Sequence, residues 1–143
     1  GLEVNCRFGY PETQVILALL DSDLITLVNA CIDGTLDQAE IKWNPRPCCC
    51  VVLAAKGYPG DYGKGKEIKG LAQAAKLPET FVFHAGTTGE KGKICTSGGR
   101  VLGVAALGRD LKESIERAYQ AVSLVSFEGM HYRKDIGKRA LTP

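Results

Sequence analysis

The run Cys48–Lys56, CCCVVLAAK, consists of eight apolar residues and one lysine. Pro45 and Pro47 stand just before it and Gly57 directly after. A short apolar run closed off by such breakers, with β-branched residues inside it, reads as a buried β-strand. Side chains along a strand alternate between its two faces. The three consecutive cysteines therefore point to opposite sides in turn and are poor disulfide partners for one another.

Toward the N-terminus, residues 35–47 (TLDQAEIKWNPRP) are polar and carry two prolines, the mark of a boundary. Domains are expected at 1–45 and 46–143. Before that boundary the pattern is helical from ETQVILALL onward. Asp21 or Ser22 is expected to cap DLITLVNACID, and Gly34 stands where a left-handed residue ends a helix. At the very start, Glu3, Asn5 and Arg7 alternate with Val4 and Cys6, so LEVNCR reads as a strand with its polar groups on one face. FGYP reads as the turn that follows.

Toward the C-terminus the character is β. GYPGDYGKG is a turn; TFVFHAG, GKICTSG and GRVLGVAAL are expected strands, with TTGEKG as the loop joining the first two. Asp110 with Glu113 three residues on is a capping-box pattern opening the helix LKESIERAYQAVSLV. Ile115, Ala118, Val122 and Val125 share one face of that helix. FEGMHYRKDIG is expected as a strand and a basic turn. The fold class is α+β: a strand and helices to about residue 45, then a small antiparallel β module with one packed helix.

Composition limits the function classes. The 143 residues suit one modest domain with a core, and a chain starting at Gly1 instead of Met reads as a piece of a longer protein. At 45% hydrophobic and 24% charged residues, the chain is an ordinary globular one. A net charge of +2 is too small for a nucleic-acid or membrane-surface binder, and no apolar run approaches the ~20 residues of a membrane span. The six cysteines contain no C-x-x-C pair for zinc. They read as structural thiols in a reducing, cytoplasmic compartment.

Five segments in register carry a more specific signal: EVNCRFG-PETQ, AAKGYPGDY, VFHAGT, GGRVLGV and YRKDIG-RA. Over essentially its whole length the chain resembles the C-terminal third of the phosphoribosylamine–glycine ligase (glycinamide ribonucleotide synthetase) family. Those enzymes are ATP-grasp ligases of de novo purine synthesis. They join glycine to 5-phosphoribosylamine through glycyl phosphate, cleaving ATP to ADP and phosphate. The resemblance implies that the chain carries the end of an ATP-grasp domain followed by a β module similar to a barrel-sandwich hybrid. It implies Mg²⁺ (or Mn²⁺) as cofactor, ATP as co-substrate, and glycine and 5-phosphoribosylamine as substrates. The partners it implies are the upstream ATP-grasp and N-terminal domains.

The resemblance also assigns roles. Glu3 and Asn5 are the expected metal ligands, two hard oxygens delivered to one side of a strand. Arg7, on the same face, is expected to hold a transferring phosphoryl group or acyl phosphate. In SGGR, the Gly98 and Gly99 backbone is expected to approach a phosphate, with Arg100 facing the cleft. GYPG is either a second such loop or a tight turn. His84 offers a base, a core or turn role being the plainer reading, and Lys134 with Asp135 reads as an ion pair. Tyr10 departs from the family, which has Asp in that turn; past Gly9, its side chain is expected to swing independently of the metal strand.

No P-loop is present, so the piece is not expected to hydrolyse ATP alone. A second reading is a non-catalytic binding, carrier or interaction module of a multifunctional enzyme. A biotin carrier would show Met-Lys-Met, whereas Lys56 lies in AAKGYPG.

Overall fold

The computed structural model describes residues 6–141. Glu3, Asn5 and most of the expected strand LEVNCR lie outside the described residues; Cys6 and Arg7 form a bend. Two helices follow, α1 (Glu12–Ala18) and α2 (Leu24–Asp33), then a single 3₁₀ turn at Leu36–Gln38. Gly34 closes α2 with φ 68, the left-handed conformation that glycine adopts without steric cost. The N-cap is Asp23, whose carboxylate accepts the Thr26 N–H at 2.8 Å. Ser22 is occupied elsewhere: its Oγ accepts the Lys42 N–H at 2.7 Å and donates to the Glu40 carbonyl.

The β part opens at β1 (Cys48–Ala54). After a short helix α3 (Leu71–Ala74) come β2 (Thr80–His84), β3 (Thr87–Glu90), β4 (Lys93–Thr96) and β5 (Arg100–Leu107). β5 is the centre of a three-stranded antiparallel sheet in the order β1-β5-β2, with Cys48 opposite Leu107 and Thr80 opposite Ala106. Helix α4 (Leu111–Leu124) packs across it. Cys49, Val51, Leu53, Leu102, Val104 and Ala106 share a core with Ile115, Ala118 and Val122 of α4. The residues between them face the other way: Cys50 and Gly103 meet Tyr10 and Gln14 of the α1 segment. β5 is buried from Val101 to Leu107 because both its faces are covered. Each fully buried Val or Leu contributes about 1.5–3 kcal/mol, so Val101, Leu102, Val104 and Leu107 make β5 a large contributor to stability.

Thr87–Glu90, expected as a loop, is a strand paired in register with β4, Thr87 opposite Thr96 and Glu90 opposite Lys93. The connection is only Lys91–Gly92, both with positive φ (49 and 78), as a two-residue hairpin turn requires. The expected strand in FEGMHYRKDIG is reduced to a single bridge, Ala54 with His131, and Ser126 just before it bridges Lys69. Gly129 (φ 75) turns the chain between the two bridged residues. Beyond it, the Tyr119 hydroxyl donates to the Arg133 carbonyl at 2.7 Å and accepts the Ile136 N–H at 3.1 Å. A last turn of helix, α5, spans Lys138–Leu141.

Half of the capping box at α4 forms as expected: Asp110 accepts the Glu113 N–H at 2.8 Å. The reciprocal bond is displaced by one residue, with the Glu113 carboxylate accepting the Arg109 N–H at 2.6 Å. Among the described residues, no helix is long and apolar enough to cross a membrane.

Candidate functional site

A cleft of about 310 Å³ opens where the turn before α1 meets the β module, lined by Tyr10, Tyr58, Ala85, Gly99 and Arg100. Arg100 is the first residue of β5. Its guanidinium carbon sits 4.6 Å from the centroid of the Tyr10 ring, and Nη1 donates to the Tyr10 carbonyl at 3.3 Å. Arg100 thus lines this pocket and at the same time holds its opposite wall through Tyr10.

Tyr10 does not swing free. Its hydroxyl is buried without a hydrogen-bond partner, as is the Gln14 side-chain oxygen. The hydroxyl lies 3.6 Å from where a Cβ on Gly103 would stand, with Cys50 Sγ and Gln14 beside it. Burial first, then Cys50, pushes the phenol above its ordinary pKa, with Arg100 opposing. Tyr10 is therefore a neutral, anchored ring. The turn residue is held because the sheet offers it a hollow at Gly103 and a cation on its outer face.

The facing loop is shaped by glycines. A Cβ on Gly99 would lie 2.2 Å from Tyr58 Cδ2 and 2.9 Å from Tyr62 Cε1, so only a bare backbone lets the two tyrosines fold over it. Their rings meet edge-on, centroids 6.3 Å apart. Tyr58 and Tyr62 were not among the expected site residues. The available signal was two aromatic side chains set between the glycines of GYPGDYG.

Gly98 has a different task. Its N–H donates to the Gly86 carbonyl at 3.2 Å, beside that of Ser97 at 2.8 Å. A Cβ on Gly86 would stand 2.5 Å from Gly98 Cα, so the two glycines permit a backbone crossing next to the cleft residues Ala85 and Gly99. The amide expected to meet a phosphate is engaged within the protein.

Arg7 is exposed and donates to the carbonyl of its neighbour Phe8 at 2.9 Å; it does not line the cleft. His84 ends β2 with Nδ1 2.9 Å from Thr87 Oγ1, exposed beside cleft residue Ala85. Asp135 pairs with Arg133, not with the expected Lys134, at 2.6 and 2.9 Å: a guanidinium fork can take both carboxylate oxygens, which an ammonium cannot. All six cysteines are free thiols. Burial above all pushes Cys48 up to about 11 and Cys50 up to about 12, so both stay protonated and unreactive near neutral pH. Among the described residues no group of three or more His, Cys, Asp or Glu could hold a metal ion.

Residues 48–139 match the family described as phosphoribosylglycinamide synthetase, C domain. The chain belongs to that family. It is 52% identical over 141 residues to the phosphoribosylamine–glycine ligase of Synechocystis sp., covering 98% of this chain and 33% of the relative. A bifunctional purine biosynthetic protein of Dictyostelium discoideum is 47% identical over 98% of the chain, which spans 17% of that larger protein. The crystal structure of a phosphoribosylamine–glycine ligase from Thermotoga maritima superposes with a TM-score of 0.71 at 38% identity, covering 94% of this chain and 32% of that one. The chain thus spans about a third of the length of its ligase relatives.

Proposed function

We propose that the chain is the C-terminal part of an ATP-dependent ligase that joins glycine to 5-phosphoribosylamine through glycyl phosphate. The observation that carries this reading is the 52% identity to such a ligase along 98% of the chain. In it, residues 1–45 end an ATP-grasp domain and 46–143 form a module of the barrel-sandwich-hybrid type. The antiparallel sheet of β1, β5 and β2 with its β3–β4 hairpin supports the second assignment.

Glu3 and Asn5 offer hard oxygens of the kind Mg²⁺ or Mn²⁺ prefers and would hold that ion together with upstream groups. When bound, the ion neutralises charge on the phosphoryl group in transfer. Arg7 would follow that charge with a planar fork. Arg100 and Gly99 line the cleft wall, and the neighbouring Gly98 bonds the Gly86 carbonyl. Clamping Tyr10 from β5 fixes the turn that follows Arg7 against the β module. Such pre-organisation is where a ligase gains rate, since phosphoryl and acyl transfer depend on positioning and charge stabilisation. The free thiols suit the reducing, cytoplasmic setting of this reading.

The test is a fusion. This chain replaces the C-terminal third of the Synechocystis ligase, and ADP release is measured with and without each small substrate. The expected result is ADP release that needs both glycine and 5-phosphoribosylamine, and none from the 143-residue chain alone. ADP release independent of glycine, or an inactive but folded fusion, would overturn the reading.

A further inference from the structure

Thr96, at the end of β4, is 1% exposed, yet its hydroxyl is only half used. The oxygen accepts the Lys66 N–H at 3.1 Å, while the hydroxyl proton has no acceptor among the described residues. Both main-chain groups of Thr96 are engaged, its N–H on the Lys66 carbonyl and its carbonyl on the Gly65 N–H. Leaving a buried donor unmatched is costly, so such a group marks a place where an acceptor belongs. Thr96 lines a cavity of about 200 Å³ together with Lys56, Gly63, Lys66, Glu128 and Gly129. Lys66 and Glu128 also line a second cavity, of about 460 Å³, which extends to Glu67, Lys69 and Ser126. The two cavities thus adjoin at the Lys66–Glu128 ion pair.

We propose that the joined cavities are a second small-molecule site, for a phosphate monoester that carries several hydroxyl groups. The phosphoryl oxygens meet Thr96, Lys56 and Lys66, and the hydroxyls lie toward Lys69, Glu67 and Ser126. Charge supports this polarity. Both carboxylates already have a lysine, Glu128 with Lys66 at 2.7 Å and Glu67 with Lys93 at 2.8 Å. Lys56 and Lys69 have no ion-pair partner among the described residues, so two positive charges stand uncompensated. A phosphoryl dianion offers acceptors alone, and ammonium groups with a hydroxyl proton offer donors. Glu128 is 76% exposed, and so open an ion pair is weak enough for a dianion to draw Lys66 away from it. Gly129 keeps the Lys56 wall close, since a Cβ there would stand 2.9 Å from Lys56 Cβ. The larger lobe offers carboxylates and a serine to hydroxyl groups. Its one aromatic residue, Phe127, is 8% exposed, which leaves a nucleobase no ring face to stack on. None of these residues lines the Tyr10–Arg100 cleft, so the proposal stands apart from the ligase reading.

The experiment is calorimetric titration of the 143-residue chain with glucose 6-phosphate, with inorganic phosphate and with glucose. Saturable 1:1 binding of glucose 6-phosphate is expected, at least about tenfold tighter than that of inorganic phosphate, with no binding of glucose. The pair Lys56→Met and Lys69→Met should weaken it at least about tenfold. Both lysines are exposed, so the circular dichroism of that variant should not change. Thr96→Val should weaken binding to a similar degree, and Thr96→Ser, which keeps the hydroxyl, should restore it. Should Thr96→Val fail to fold, the lysine pair and Thr96→Ser decide. Arg100→Met should leave the affinity as it is. No saturable binding would leave only a water on Thr96 and overturn the proposal. Equal affinity for inorganic phosphate would overturn it too, because the larger lobe would then contribute nothing. So would indifference to the lysine substitutions, or loss of binding in Arg100→Met, which would put the anion in the Tyr10–Arg100 cleft instead.

Discussion

The guanidinium of Arg100 stacks on the ring of Tyr10, 4.6 Å from centre to centroid, and bonds the carbonyl of the same residue. Ninety positions apart in sequence, the two residues join the segment before α1 to the central strand of the sheet. Replacing Arg100 with Met should destabilise the chain by up to about 2–4 kcal/mol, the sum of an exposed cation–π contact and one charge-assisted hydrogen bond. Tyr10→Phe should be neutral or stabilising by up to about 1 kcal/mol, because the hydroxyl it removes is buried without a partner. Urea titration distinguishes these. A clear loss from Tyr10→Phe would show that a water serves the hydroxyl.

Two glycines on the same side of the molecule should respond in opposite ways. At Gly99 a methyl group would collide with Tyr58 at 2.2 Å, so Gly99→Ala should cost about 1–3 kcal/mol and displace the tyrosine pair. At Gly103 the nearest atom would be Cys50 Sγ at 3.4 Å, an ordinary contact, and Gly103→Ala should stay within about 0.5 kcal/mol of the parent. Tyrosine fluorescence alongside thermal melting checks both.

Lys91 sits at φ 49 in the hairpin turn, a conformation that strains most side chains. Asn tolerates it better, and Lys91→Asn should stabilise the chain by about 0.4–1 kcal/mol in guanidinium unfolding. A loss would mean that the lysine side chain contributes more than its backbone strain costs.

Glu113 accepts the Arg109 N–H and pairs with Arg109 and Arg117, which hold its carboxyl down to about 2 from an ordinary 4.5. Because the folded pKa is the lower one, its stabilising contribution is complete above about 4.5 and disappears as pH falls toward 2. The stability gap between the parent and Glu113→Gln should therefore be widest near neutrality and close across that window. A gap independent of pH would place the effect in packing instead of charge.

If Glu3 ligates the metal as proposed, Glu3→Gln in the full-length fusion should lower kcat by at least about a hundredfold with the fold intact, because it withdraws one anionic oxygen from the ion. Turnover near normal at limiting Mg²⁺ would remove Glu3 from the metal shell.

Some elements were legible from local pattern alone. CCCVVLAAK between breakers reads as a strand, and it buries Cys49, Val51 and Leu53 on one face. Ile115, Ala118, Val122 and Val125 all went into the core because helical spacing places them on one side. Gly34 ended α2 because a left-handed residue was needed there. In each case one short segment contains the whole physical cause. Other features had their cause elsewhere in the chain. Thr87–Glu90 carries no apolar alternation and is a strand only because Lys93–Thr96 supplies its hydrogen bonds. Asp23 caps α2 because Lys42 and Glu40 claim Ser22. Gly98 spends its amide on Gly86, and Tyr10 is pinned because Gly103 leaves a hollow across the sheet from it. Periodicity specifies which side of an element is buried, but not which distant group will meet it. That choice is made by packing, and packing decided the cleft.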